Sequence, residues 1–254
     1  NFANTFDEET VTGFEGGVKA TLFDQLVLNV TAYEFDYEDL QVGAFDPDSI
    51  SFKVLNAAAA KVRGIEADIN WRTPAEGLWI RGSLALNDAK FEDFLSGCYL
   101  GQTVALGCNL NLNTVTGAYL QQDLSGRQMN NAPDVAATGG VLYSHKLTNG
   151  MGLDLTVDAT YSSDYYANLR QSPLDVQDAY TKLNASLRLF GQDDKWELSL
   201  VGRNLTDEYT FNASAPITLT GGGSGIAGAI PGDRSAIVSK GREVFLKLTY
   251  RPIN

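Results

Sequence analysis

Three arginines and a tyrosine lie in segments that the sequence places in loops. Arg127 falls in a stretch rich in glycine, asparagine and glutamine, Tyr165 and Arg170 lie in or beside a medium-length segment, and Arg234 lies in a second long one. A guanidinium presents a planar fork of N–H donors that can hold carboxylate or phosphate groups. We predict that Arg127, Tyr165, Arg170 and Arg234 contact an anionic small molecule; the alternative for each arginine is a surface charge.

The two cysteines of the chain, Cys98 and Cys108, are close together in one polar segment. Such spacing favours a small disulfide-closed loop in an oxidising compartment. A metal site is the weaker interpretation, because the single histidine, His145, is far away in sequence. We predict a Cys98–Cys108 disulfide and no metal site.

No catalytic constellation is present in the sequence. With one histidine and no G-x-S-x-G motif, nucleophilic hydrolysis has little support. The segment from Gly223 to Gly228 spells G-x-G-x-x-G, but Pro231 and Gly232 rule out the helix that a dinucleotide site requires. The chain is therefore predicted not to be an enzyme and to bind no cofactor.

The charge of the chain is strongly acidic. Its 254 residues carry a formal net charge of −12, which argues against nucleic acid as a partner. The acidic cluster Glu34, Asp36, Glu38 and Asp39 indicates a solvated rim, with binding of cations that bridge lipopolysaccharide as the alternative. No apolar run is long enough for a transmembrane helix.

The elements that must position these residues are β-strands of alternating character. From 183 to 189, leucine and alanine alternate with polar residues, a polar turn follows at 191–195, and the alternation resumes from Trp196. Similar patterns recur from Thr10 to Leu22 and from Arg242 to Tyr250. About nine strands are predicted, joined alternately by short turns and by long loops at about 95–134 and 213–240.

This loop asymmetry is typical of outer-membrane barrels, which have short periplasmic turns and long extracellular loops. Tryptophans lie beside the short turns, and aromatic pairs such as Tyr33/Tyr37 and Phe91/Phe94 lie near the long loops. From Trp79 to Phe91 the strand rises roughly 40 Å, or about 30 Å along the membrane normal at a tilt near 40°. We predict two aromatic girdles flanking an apolar band, an arrangement that a soluble β-sandwich does not explain.

An odd number of strands leaves two strand edges unpaired, which lipid does not tolerate. The missing strands are therefore expected from another chain or from a removed N-terminal part.

Several motifs resemble those of TonB-dependent outer-membrane receptors. Arg203-Asn-Leu-Thr-Asp-Glu-Tyr209 resembles the end of the penultimate strand in that family, and Glu15-Gly-Gly-Val-Lys19 resembles a Glu-x-Gly-x-Lys strand. Further similar elements follow in the family's order: the segment Tyr33 to Gln41, the segment Asn56 to Glu66, Asn131-Ala-Pro133, and the closing strand Gly241 to Arg251. The chain departs from the family at its end, where four residues follow Tyr250.

The resemblance implies an all-β fold, a transmembrane antiparallel β-barrel of twenty-two strands plugged by an N-terminal domain. Residues 1–254 would supply the C-terminal portion, about the last nine strands, without the plug. The implied function is energy-coupled import of a scarce nutrient. A ferric siderophore is the favoured nutrient, and cobalamin and an oligosaccharide are the alternatives.

The partners that the resemblance implies are the TonB–ExbB–ExbD complex, the remaining strands and plug, outer-membrane lipid and lipopolysaccharide, and the nutrient itself. The competing interpretation is a structural or adhesive β-protein that assembles through its unpaired strand edges. These two interpretations differ in whether the protein needs a detergent to stay dissolved.

Overall fold

The computed structural model of the chain describes residues 7–46, 51–191, 195–217 and 233–252. These residues form fifteen β-strands and two short 3₁₀ helices. The strands are β1 (Thr10–Leu22), β2 (Leu26–Asp46), β3 (Ser51–Arg72), β4 (Leu78–Gly97), β5 (Leu110–Leu112), β6 (Tyr119–Asp123), β7 (Val135–Lys146), β8 (Gly152–Ser162), β9 (Tyr165–Tyr166), β10 (Val176–Gln177), β11 (Tyr180–Phe190), β12 (Trp196–Arg203), β13 (Phe211–Pro216), β14 (Arg234–Val238) and β15 (Glu243–Tyr250). The 3₁₀ helices are Val104–Leu106 and Pro173–Asp175.

Nine strands form one antiparallel path in the order β1-β2-β3-β4-β7-β8-β11-β12-β15. Neighbours in the sheet are also neighbours along the chain, as in an up-and-down barrel wall, so the predicted fold class and the nine strands are confirmed. Within the described residues β1 and β15 do not pair with each other, so the sheet is not closed.

The register gives the sheet two faces of opposite character. On what we call the outer face, Leu28 lies opposite Ile69 and Leu187 opposite Leu200. On the inner face, Asn29 lies opposite Asp68, and Arg188 opposite Asp154. The outer face remains exposed, with Leu200 at 50% and Leu246 at 67% of their full accessibility, which fits a surface that contacts lipid.

Charged pairs stabilise the inner face. Arg188 donates to Asp154 at 3.0 Å and to Glu197 at 2.9 Å, and Arg81 donates to Asp158 at 2.5 Å. Each pair links adjacent or nearby strands across the sheet. The inner face is therefore wet or covered by polar groups.

Two β-bulges redirect aromatic side chains near the long-loop ends of the strands. Ala60 lies opposite Phe91 and Ala59 lies opposite Asp93, so Glu92 is an extra residue in β4. Because of this extra residue, Phe94 lies on the same face as Phe91. A similar irregularity in β2 follows Tyr37. Phe91 and Phe94 pack on Leu124, with ring centroids 4.5 Å apart.

The predicted outer girdle is therefore wrong for Phe91 and Phe94, which are 1% and 2% exposed and belong to a buried cluster under the 96–133 loop. The reason is the bulge, which moves Phe94 to the inner face. That cluster also contains Val42, Ala58, Ala60 and Leu124. The predicted long loop 96–133 itself is partly ordered, since it contains β5, β6 and a 3₁₀ helix.

Asn204 joins the penultimate strand to the last one. It follows β12 with a positive φ of 47°, and its side chain donates to the carbonyl oxygens of Glu208 at 2.8 Å and Lys240 at 3.0 Å. The same side chain accepts a hydrogen bond from the Glu208 backbone N–H. Asn204 is only 7% exposed, so its side-chain amide is shielded from water.

We predict that N204A lowers the free energy of unfolding in detergent by about 2–3 kcal/mol, because the buried Asn204 side chain loses three hydrogen bonds to the backbone of Glu208 and Lys240. Denaturant titration followed by tryptophan fluorescence measures this change. The control is N70A, since Asn70 is exposed and has no side-chain hydrogen bond within the described part of the chain. Equal stability of N204A and N70A would contradict the role of Asn204.

Candidate ligand site

A polar cleft of about 680 Å³ opens on the inner face where the strands approach the long loops. Its lining includes two acidic residues, two asparagines, four serines or threonines and three tyrosines. These residues are Glu66, Asp68, Asn131, Asn212, Ser83, Thr138, Thr160, Ser162, Tyr161, Tyr165 and Tyr180. No lysine or arginine lines this cleft. Its volume falls in the range of small-molecule sites.

Tyr165 is the one predicted ligand residue that lines this cleft. Its hydroxyl donates to the carbonyl of Phe211 at 3.1 Å, which ties β9 to β13. Burial raises the pKa of the Tyr165 phenol, so this group stays neutral and remains a donor near neutral pH.

Residues 165–177, which we call the central loop segment, connect the surrounding loops. Asn131 donates its backbone N–H to the carbonyl of Tyr166 at 2.8 Å, and Asn168 donates to the carbonyl of Ser214 at 2.6 Å. Gln177 accepts from the backbone N–H of Phe211 at 2.8 Å. The segment therefore links the 96–133 loop to the β13–β14 hairpin.

Arg127 is held against this segment. Its guanidinium donates to the hydroxyl of Tyr166 at 3.0 Å and lies 5.4 Å from the centre of the Tyr166 ring. This cation–π contact holds Arg127 against the loop. The single hydrogen bond to Tyr166 uses only one of the five guanidinium N–H donors.

Arg170 differs from the other arginines of the loops. Within the described residues its guanidinium forms no ion pair or hydrogen bond, although its backbone carbonyl accepts from Gln122 at 2.8 Å. The side chain lies beside Gly97, where an added Cβ would be 3.7 Å from Nε. Burial lowers the pKa of the Arg170 guanidinium, because desolvation disfavours its charged form.

The next residue, Gln171, carries a second unsatisfied group. Its side chain is 1% exposed and donates to the carbonyl of Gln128 at 2.5 Å. Its Oε1 atom, however, has no hydrogen-bond partner. Within the part of the chain that the structure describes, a cation and an acceptor without partners thus stand on consecutive residues, which is compatible with a bound group or ordered water.

Arg234 is paired inside the protein. It forms an ion pair with Asp175, which is 1% exposed, and its Nε atom donates to Ser214 at 3.4 Å. Burial lowers the pKa of Arg234, and the Asp175 carboxylate compensates its charge. The chief role of Arg234 in the structure is to hold β14 against the central loop segment.

The 96–133 loop contains a disulfide between Cys98 and Cys108, whose Cα atoms are 5.7 Å apart. Gln102, between them, donates to Gln122 at 2.9 Å. Gln122 in turn donates to the carbonyls of Gly97 and Arg170. The closed loop is thereby attached to the central loop segment through one buried glutamine.

The four predicted ligand residues are therefore distributed around one loop assembly and do not converge on a single point. The sequence interpretation missed Gln122, Gln171 and Asp175, which hold the assembly together. Buried amides in a Gln/Asn-rich loop give no sequence signal that separates them from exposed ones. Asp175, beside Pro173 in a short polar segment, is equally inconspicuous.

Among the residues that the structure describes, no group of three or more histidine, cysteine, aspartate or glutamate side chains could hold a metal ion. The same residues include no helix with the length and apolar character needed to cross a bilayer.

Comparison with known proteins identifies related sequences and folds. The family model described as "TonB dependent receptor-like, beta-barrel" matches residues 1–205. A comparison with curated protein sequences found no significant match.

Solved structures with the same fold include the ferric yersiniabactin uptake receptor FyuA of Yersinia pestis, with 16% identity and a TM-score of 0.66 over 94% of this chain and 29% of that one. The siderophore receptor PiuA of Acinetobacter baumannii has 20% identity and a TM-score of 0.61 over 94% and 28%. The ferripyoverdine receptor of Pseudomonas aeruginosa has 15% identity and a TM-score of 0.56 over 95% and 27%. The chain thus spans less than a third of the length of each.

We predict that D175N loosens the loop assembly, because Arg234 then remains in a buried site without its compensating charge. Limited trypsin digestion of the folded protein should cleave after Arg170 or Arg234 about tenfold faster than in the wild type. Mass spectrometry locates the cuts.

The matched control is D164N, because Asp164 is exposed and forms no ion pair within the described residues. Identical digestion rates for D175N and D164N would show that the Arg234–Asp175 pair does not hold the loops.

Proposed function

The chain belongs to the TonB-dependent receptor-like β-barrel family, and we propose that it functions as an outer-membrane receptor that imports a scarce nutrient. The nutrient that we favour is a ferric siderophore. Barrels of this family are outer-membrane proteins of Gram-negative bacteria, and they are transporters, not enzymes. Cobalamin and an oligosaccharide are the alternative nutrients.

We propose that residues 1–254 form the C-terminal part of a larger barrel wall. The open edges at β1 and β15 and the share of each solved receptor that the chain spans support this assignment. Further strands and a plug would complete the barrel, and the TonB–ExbB–ExbD complex would supply energy to move the plug.

The observation that carries the ligand proposal is the Arg170 guanidinium, which lies beside Gly97 in the loop assembly and forms no ion pair or hydrogen bond within the described residues. A ferric chelate with carboxylate or phenolate oxygens bears negative charge, and a guanidinium binds such oxygens by charge-assisted hydrogen bonds. The neutral amides and hydroxyl groups of the cleft would then contact the organic part of the ligand. The compared structures are receptors for ferric yersiniabactin, for a siderophore and for ferripyoverdine, which agrees with this choice.

In this proposal the other predicted ligand residues divide into two roles. Tyr165, on the cleft wall, contacts the ligand directly. Arg127 and Arg234 position the loops through Tyr166 and Asp175, and the N–H groups that these contacts leave unused face incoming anions.

We predict that R170Q weakens binding of a carboxylate-type ferric siderophore about 30-fold, because losing one charge-assisted contact costs about 2 kcal/mol. Fluorescence quenching of the complete protein in detergent measures the dissociation constant. R242Q is the control, since Arg242 is exposed and has only a 3.8 Å contact with Asp207.

Cyanocobalamin and a maltooligosaccharide serve as comparison ligands in the same titration. The siderophore assignment is wrong if cyanocobalamin or the maltooligosaccharide binds more tightly than every ferric siderophore tested and R170Q leaves that binding unchanged. The assignment as a receptor would still stand.

Energy coupling gives a second prediction. Cells that carry the protein should accumulate the radiolabelled nutrient, and an uncoupler of the proton-motive force should reduce accumulation to the level of binding alone. Deleting TonB should have the same effect. Accumulation that continues undiminished in uncoupled cells would contradict TonB-dependent import.

A further inference from the structure

Gln122, in β6, connects three parts of the loop assembly through one side chain. It is 2% exposed, and its Nε2 atom donates to the carbonyl of Gly97 at 3.1 Å and to that of Arg170 at 2.8 Å. Its Oε1 atom accepts a hydrogen bond from Gln102 at 2.9 Å. One buried amide therefore joins the end of β4 to the residue whose guanidinium has no partner within the described residues.

The guanidinium of Arg170 lies face-on over Gly97. The position that an added Cβ of Gly97 would occupy is 3.7 Å from Nε, 3.9 Å from Cζ and 3.9 Å from Nη2. Because these three atoms lie in one plane, nearly equal distances place that position above the plane and not at its edge. Gly97 therefore covers one face of the guanidinium, and the N–H donors that point outward in the plane stay free among the described residues.

The backbone of Arg170 is held on both sides of its Cα atom. Its N–H group donates to Oδ1 of Asn168 at 2.9 Å, and its carbonyl accepts from Gln122. Asn168 is itself anchored, since its Nδ2 atom donates to the carbonyl of Ser214. These contacts fix the direction in which the Arg170 side chain leaves the backbone.

Residues 98–108, which we call the disulfide loop, determine the orientation of the Gln122 amide. Gln102 accepts a hydrogen bond from the backbone N–H of Tyr99 at 3.0 Å, and it donates to the carbonyl of Leu106 at 3.0 Å. Since Gln102 thereby presents its Nε2 atom to Gln122, Gln122 must turn its oxygen toward Gln102 and its donors toward the two carbonyls. The disulfide closes the loop that holds Gln102 in this orientation.

We propose that Gln122 is a positioning residue for Arg170, and that the disulfide loop acts on Arg170 through Gln102 and Gln122. The guanidinium is held on Gly97 before the ligand arrives, and its free N–H edge meets a carboxylate group of the ligand in the guanidinium plane. Such preorganisation lowers the cost of ordering a long side chain on binding. The ligand in this proposal rests on the proposed function, whereas the position of Arg170 is testable without a ligand.

The functional test is a double-mutant cycle on the complete protein in detergent, measured by fluorescence quenching with the ferric complex of citrate. Q122M replaces the amide with an apolar side chain of similar length and removes its three hydrogen bonds. We expect Q122M to weaken binding about tenfold, and Q122M/R170Q to bind as weakly as R170Q alone. The two effects do not add, because Gln122 acts through Arg170.

The matched control is Q121M. Gln121 is the preceding residue of β6, so its side chain lies on the opposite face of the strand, and it forms no side-chain hydrogen bond within the described residues. We expect Q121M to bind the ferric complex as the wild type does. An equal loss in Q121M and Q122M, or a loss in Q122M that multiplies with that of R170Q, would overturn the positioning role.

A spin label attached at R170C reports the mobility of this position with no ligand present, because the two native cysteines are joined in a disulfide and do not react. We expect Q122M to raise the mobility of the label, measured from the line shape of the electron paramagnetic resonance spectrum, and Q121M to leave it unchanged. Q102M and C98S/C108S should also raise it. Q102M/Q122M should raise it no further than Q122M.

The outcomes separate this proposal from the proposed function. An unchanged line shape in Q122M would overturn the positioning role for any ligand. Unchanged line shapes in both Q102M and C98S/C108S would overturn the role of the disulfide loop. If the wild type binds no ferric chelate while Q122M still changes the line shape, the result counts against the proposed function and not against the positioning of Arg170.

Discussion

Hydrocarbon offers no partner for a backbone N–H or carbonyl group, and this constraint organises the whole sheet. Every strand that crosses the membrane must be paired along its length, which long antiparallel ladders achieve. The ladders of β2 with β3 and of β3 with β4 continue well beyond the height of a bilayer. Because register then fixes which side chains share a face, the same pairing sets the apolar outer face and the charged inner face.

Beyond the membrane the strands need other support. A bulge in β4 moves Phe94 to the inner face beside Phe91, which strand alternation already places there, and Leu124 packs on both. The central loop segment then ties the surrounding loops through buried amides and the Arg234–Asp175 pair. In this assembly Arg234 is paired with Asp175, whereas the Arg170 guanidinium forms no ion pair within the described residues and for that reason supports the ligand proposal.

Much of the fold could be predicted from alternation alone. The strand Thr10–Leu22 and the nine-strand order follow from a period of two and from turn residues, since both are local. The face of Phe94 could not be predicted, because one bulged residue reverses it and only pairing reveals a bulge, whereas Phe91 follows the regular alternation of β4. The sequence identified the loops that contain Arg127, Tyr165, Arg170 and Arg234. It did not indicate which of the three arginines has no side-chain partner within the described residues. That distinction depends on Asp175 and Tyr166, whose contacts are non-local.

The central claim is that one face of this sheet contacts lipid and the other does not. Spin labels at successive positions 153–161 of β8 test it in the complete, membrane-inserted protein, because the native cysteines are joined in a disulfide. Accessibility to molecular oxygen, relative to a water-soluble nickel complex, should alternate with period two. Leu153, Leu155, Val157, Ala159 and Tyr161 should be lipid-exposed and the residues between them not. Absence of alternation, or the reverse phase, would contradict the account.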